Sequence, residues 1–246
     1  MTEQPTPASV YAEGPGDPAA VGTTLLALGD SIIAGIGASH VSSGCMGQLA
    51  EALRARFPGL SLINLAIPGE SSASMLLPSG QLERAEELIV TVARSGGRAG
   101  PVALCVGGND IMEAALLGDE EALRQFEVNL GVILSRLEAA LRATGSALAD
   151  VGCIQTVYNP FEIDAVEGGN HGAEAHSMAP RRATRGGFNR IIRNAAAARG
   201  LRLVEVSGRF RGRCGELTWV RSGDIHPTDE GHTLIAGAYL EVCGGE

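Results

Sequence analysis

Apolar residues recur along the chain with two different periods, and their alternation predicts the architecture. Short aliphatic runs at 23–28, 60–65, 102–106, 148–157 and 201–206 read as five buried strands. Residues 46–57, 81–94, 120–143 and 180–199 instead space their apolar positions as helices do, and a last helix is expected over 229–242. In the longest of these, Phe126, Leu130, Ile133, Leu137 and Leu141 share one face, which predicts a crossover helix turned toward a core. Pro58-Gly59 and Gly200 stop helices before the strands that follow, and Asp110 reads as the N-cap of a short helix through Leu117. Strands separated by helical crossovers predict a parallel sheet covered on both faces, so the fold class is α/β, a three-layer α/β/α sandwich of about five strands. The C-terminal strand ends then converge on one edge, where such sheets hold their ligands.

Four short polar blocks fall just beyond apolar runs: Gly29-Asp30-Ser31-Ile32, Gly69, Gly107-Gly108-Asn109-Asp110, and Asp224-Ile225-His226-Pro227. A serine hydroxyl is a weak nucleophile at neutral pH and needs a base to take its proton. His226 is the candidate base for Ser31, and Asp224, two residues earlier, can orient the imidazole and favour its cation. Pro227 stiffens the same loop. The order serine, acid, histidine is that of α/β-hydrolases, yet the chain has no Gly-x-Ser-x-Gly elbow. Gly35-x-Gly37 lacks a third glycine and is rejected as a dinucleotide loop.

Taken together and in this order, the four blocks resemble those of the SGNH hydrolases, the GDSL-type esterases and lipases, over about nine tenths of the chain from Leu25 onward. The resemblance implies a flavodoxin-like sandwich, and an oxyanion hole made by the backbone N–H groups of Ser31 and Gly69 with the side-chain amide of Asn109. It implies a serine-dependent carboxylic ester hydrolase acting through an acyl-enzyme on Ser31. Activities in that family span lipases, lysophospholipases, thioesterases and deacetylases, so the ester or thioester substrate is left open. Tyr158 and Phe161 follow a strand end; they either line the acyl or alcohol pocket or pack in the core.

Composition narrows the alternatives. With 246 residues, 45% of them hydrophobic, the chain can bury one sizeable core. Residues 23–246 are therefore expected as a single domain behind a flexible leader, 1–22, that resembles neither a signal nor a transit peptide. No apolar stretch is long enough to span a membrane, which predicts a cytoplasmic protein without integral membrane association. A net charge of −9 argues against nucleic acid as a partner. All 19 basic residues are arginine, so lysine Schiff bases, Ser-Lys dyads and phosphate-loop lysines are excluded. No cofactor is implied.

Arginine is concentrated in 181–213, where ten face the single acid Glu205, giving +9 there and −18 in the remainder. That segment is either a solvated helix face beside an acidic body or a dock for an anionic partner, and the second option supports a rival function, a non-catalytic binding module of the same fold. The five cysteines are odd in number and widely spaced, which indicates neither a disulfide framework nor a zinc site; Cys105 and Cys153 read as small buried hydrophobes. His171 and His176 lie in an irregular stretch, 162–177, expected as a lid or specificity loop rather than a metal site, and His40 and His232 read as surface or supporting residues.

Overall fold

Among the described residues six strands form one sheet in the order β1-β3-β2-β4-β5-β6. The computed structural model describes residues 11–13, 22–117, 119–161 and 182–243. The irregular stretch 162–177, with His171 and His176, lies outside the described residues, as does most of 1–22. Strands β2 (Thr23–Gly29), β3 (Ser61–Asn64), β4 (Arg98–Cys105), β5 (Gly152–Gln155) and β6 (Arg202–Val204) all run parallel. A short edge strand within the leader, β1 (Tyr11–Glu13), pairs antiparallel with β3.

Alternation along the central strands sorts side chains into two cores. Leu26 and Leu28 of β2, with Val102 and Leu104 of β4, face a core completed by α3 (Gln81–Arg94), α4 (Gly108–Leu117), α5 (Asp119–Ala143) and α7 (Arg182–Arg199). Leu25, Ala27, Ala103 and Cys105 face the opposite way, toward α1 (Ser31–Ala34), α2 (Cys45–Arg54), α8 (Ser207–Phe210), α9 (Cys214–Leu217) and α10 (Asp229–Cys243). This is the expected three-layer sandwich. Because β2 is followed by β3 on one side and by β4 on the other, the loops after β2 and β4 diverge and open a crevice at the strands' C-terminal ends.

Several element boundaries differ from the sequence reading: β4 starts at Arg98 rather than 102, α2 ends at Arg54 rather than 57, and β6 covers only Arg202–Val204. Residues 148–151 form a helical turn, α6 (Leu148–Val151), and β5 starts only at Gly152. Leu148 and Val151 are buried from a helix as completely as from a strand, so a short apolar run does not distinguish the two. Asp110 sits inside the first turn of α4 instead of capping it, because its carboxylate accepts from the Ser72 N–H at 2.9 Å and from the Ser72 hydroxyl. Cys153 is buried, as the sequence predicts, with its sulfur against that of Cys243 in α10.

Candidate active site

Strand β2 ends at Gly29, and the chain turns at once into the single helical turn α1. Asp30 caps that turn, its carboxylate accepting from the Ile32 N–H at 2.9 Å. Gly29 has φ +156, and a Cβ there would collide with the Cys105 carbonyl of the neighbouring strand and with Ile33. Glycine therefore lets the nucleophile turn press against β4, and Ser31 is presented at the sheet edge.

From the far end of the chain, the loop before α10 delivers Asp224 and His226. His226 Nδ1 lies 2.5 Å from Asp224 Oδ1, and the same carboxylate oxygen accepts the His226 backbone N–H at 3.1 Å. With Nδ1–H donating to the carboxylate, Nε2 carries the lone pair and accepts from the Ser31 hydroxyl at 2.9 Å. Asp224, His226 and Ser31 thus form one continuous hydrogen-bonded chain across 195 residues of sequence. Burial works against the Asp224 charge, but hydrogen bonds from the backbone N–H and ring N–H of His226 outweigh it and hold the carboxyl below its ordinary pKa.

The histidine loop is clamped by groups that carry no obvious motif. Trp219 N–H donates to the His226 carbonyl at 3.0 Å, Asp224 N–H donates back to the Trp219 carbonyl at 3.2 Å, and the Trp219 indole donates to the Gly37 carbonyl at 2.8 Å. Gly37 (φ +95) approaches so closely that an added Cβ would lie 3.0 Å from His226 Cβ. The glycine rejected as a nucleotide loop is thus needed for contact with the histidine loop. Tyr158 stacks on Phe210 with ring centroids 4.2 Å apart and donates its hydroxyl to the Ile225 carbonyl at 2.8 Å, fixing the loop from the other side. His232 is buried, its ring bonding the Ile36 carbonyl at 3.0 Å and accepting from the Cys45 N–H at 3.3 Å. It supports the site from within.

The remaining expected groups lie in the turns that follow β3 and β4. Gly69 occupies a turn with φ +86, and Asn109 Nδ2 donates to the Glu70 carbonyl next to it at 2.8 Å, leaving a second amide hydrogen on Asn109. Neither the Ser31 nor the Gly69 backbone N–H has an acceptor among the described residues. Beneath them runs a buried polar network that sequence reading missed. Gln81 receives the Gly29 N–H at 2.5 Å, returns a bond to the Gly29 carbonyl at 2.9 Å and donates to the Glu70 carboxylate at 2.9 Å. One fully buried amide therefore ties the serine turn to the Gly69 turn. Asp30 is buried close by, and burial pushes its carboxyl up to about 6.

A model of the GDSL-like Lipase/Acylhydrolase family matches residues 27–234, a span that contains every one of these groups. The chain belongs to that family. The acylhydrolase is similar in structure to LAE5, an alpha/beta hydrolase enzyme from the metagenome of Lake Arreo, with 25% identity over 92% of this chain and 96% of that one, at a TM-score of 0.61. It shares its fold with Axe2, an acetylxylan esterase from Geobacillus stearothermophilus (20% identity, 92% and 96% coverage, TM-score 0.62). The same holds for the esterase EstA from Pseudoalteromonas sp. (20% identity, 89% and 95% coverage, TM-score 0.58). No curated protein matches the chain significantly. The acylhydrolase is thus a serine ester hydrolase of the GDSL type, and none of its described helices is long and apolar enough to cross a membrane.

Beside Ser31 and Asn109 opens a pocket walled by Ile32, Ile111, Met112, Val157, Phe161 and Ile225, with Asp30, Cys105, Gln155 and Tyr158 also in its lining. Tyr158 and Phe161 both face it, so for Tyr158 the pocket and core roles coexist. Among the described residues no cluster of three or more His, Cys, Asp or Glu is placed to hold a metal ion.

Proposed function

We propose that the acylhydrolase cleaves carboxylic esters or thioesters through an acyl-enzyme on Ser31. The observation that carries this reading is the unbroken hydrogen-bonded chain from Asp224 through His226 to the Ser31 hydroxyl. As Ser31 Oγ attacks the carbonyl carbon, its proton passes to His226 Nε2, and the imidazolium is steadied by the ionised Asp224. The carbonyl oxygen takes the developing negative charge and draws on the Ser31 and Gly69 N–H groups and the second amide hydrogen of Asn109. His226 then returns its proton to the departing alkoxide or thiolate. A water molecule repeats the sequence, with His226 again the base, and frees the carboxylic acid.

Covalent capture tests the assignment. A fluorophosphonate loses fluoride to an activated serine, and EstA, which shares this fold, is inhibited by monoethylphosphonate. Intact mass and peptide mapping are expected to find one adduct per chain on Ser31, and none in Ser31→Ala or, at matched times, in His226→Ala. Folded wild-type protein that remains unlabelled would overturn the reading.

A further inference from the structure

The pocket beside Ser31 is apolar on most of its walls, which alone suits an alkyl chain. Gln155 breaks that pattern. It is the last residue of β5, it lines the pocket, and it is only 1% exposed. Its Oε1 is shielded from solvent and accepts no hydrogen bond from any described residue. The contrast with Gln81 is sharp, since that equally buried amide uses both of its ends within the protein. A buried amide oxygen left without a donor costs about 1–3 kcal/mol, and a substrate hydroxyl or amide N–H can supply that donor. Tyr239 also has a buried hydroxyl without a partner, but it is enclosed by the core around α10 and does not line the pocket.

We propose that Gln155 is a specificity-determining residue that hydrogen-bonds a hydroxyl or amide group on the half of the ester entering this pocket. The preferred substrates are then hydroxylated or amide-bearing esters, either hydroxyacyl esters or esters of polyols, and not simple alkyl esters. An alkyl chain in the same place fills the apolar walls but leaves the amide unmatched, whereas a hydroxyl of the same size satisfies it. The inference rests on Ser31 being the nucleophile.

Two substrate pairs, each exchanging a hydroxyl for a methyl group, test it and separate the two sources. The acyl pair is p-nitrophenyl 3-hydroxybutanoate against p-nitrophenyl 3-methylbutanoate. The alcohol pair is 2-hydroxypropyl butanoate against 2-methylpropyl butanoate. In one of the pairs kcat/KM is expected to favour the hydroxylated member by about tenfold or more. Gln155→Met, which keeps the length and removes the amide, is expected to abolish that preference. Absence of a preference in both pairs, or its survival in folded Gln155→Met, overturns the proposal. If the variant does not fold, the wild-type ratios still decide. Fluorophosphonate capture of wild-type Ser31, run in parallel, keeps the two claims apart. Capture without preference removes the role of Gln155 alone, whereas absence of capture removes the nucleophile reading beneath it.

Discussion

The serine edge and the arginine-rich segment are the two most conspicuous features of the sequence, and the fold treats them in opposite ways. At the serine edge, hydrogen-bond donors are held still and left open: the Ser31 and Gly69 N–H groups and one amide hydrogen of Asn109. In 181–213 four of the described arginines are paired with carboxylates. Arg193 pairs with Glu205, Arg199 with Glu138, Arg209 with Glu241, and Arg213 with Glu216 and Glu230. Burial works against the Glu205 charge, but hydrogen bonds from Arg193, Ser207 and Thr156 overcome it and hold the carboxyl at about 2. Part of the charge excess seen in sequence is thus neutralised by carboxylates, from Glu205 within the segment and from Glu138, Glu216, Glu230 and Glu241 outside it. Chemistry is available where preorganised polar groups are not consumed by the protein itself.

The largest expected effect falls on the open side of this comparison. Ser31→Ala and His226→Ala are each predicted to lower kcat by about 10⁴-fold or more, with the double variant little worse than either single one, because the two residues act as a unit. Steady-state kinetics on an activated ester reads both; additive losses would mean that they act separately. Asn109→Ala is predicted to cost about 10²- to 10³-fold in kcat with the fold intact, as measured by turnover and circular dichroism. Turnover within a few-fold of wild type would remove Asn109 from the oxyanion hole.

How much of this was legible beforehand follows from where the information resides. Ser31, Gly69, Asn109, Asp224 and His226 were readable because each sits in a short polar block after an apolar run, and the structure brings all five to one edge. Gln81 was not readable. Its role depends on Gly29, 52 residues away, and nothing in the amphipathic pattern of its helix separates a buried glutamine from a solvated one. Gly37 and Trp219 were missed for the same reason, since the hydrogen bond between them joins residues 182 apart in sequence. The helices of 14 or more residues were located well because a 3.6-residue period over that length is distinctive, whereas four-residue turns such as those at 31–34, 148–151, 207–210 and 214–217 are too short to show one.

A smaller effect probes the buried floor of the open region. The Asp30 carboxyl has an ordinary value of 3.8 and is raised to about 6 by burial, so the unfolded chain releases this proton at lower pH than the folded one. Its contribution to stability is therefore present at low pH, declines as pH rises from about 4 to 6, and changes no further above that. Asp30→Asn keeps an N-capping oxygen for Ile32 and cannot titrate. The stability of the variant relative to wild type is predicted to improve by about 1–3 kcal/mol across that window. Denaturant unfolding at pH 4 and pH 7 measures it, and parallel pH dependences in the two proteins would contradict the assignment.

The smallest effect belongs to the paired region. Arg193→Ala and Arg209→Ala are each predicted to cost less than about 1 kcal/mol, because these pairs are largely solvent-exposed, and to leave ester turnover within about twofold of wild type. A larger loss of turnover would show that the segment contributes to function despite its internal pairing.

The central claim is that the ester carbon becomes bonded to Ser31. The most direct measurement mixes the acylhydrolase with a p-nitrophenyl ester, quenches with acid within the first turnover, and maps the adduct by mass spectrometry. A mass increase equal to the acyl group, confined to the peptide containing Ser31 and absent from Ser31→Ala, is the predicted result. Rapid release of p-nitrophenol with no acyl group on Ser31, or with the group on another residue, would contradict the account.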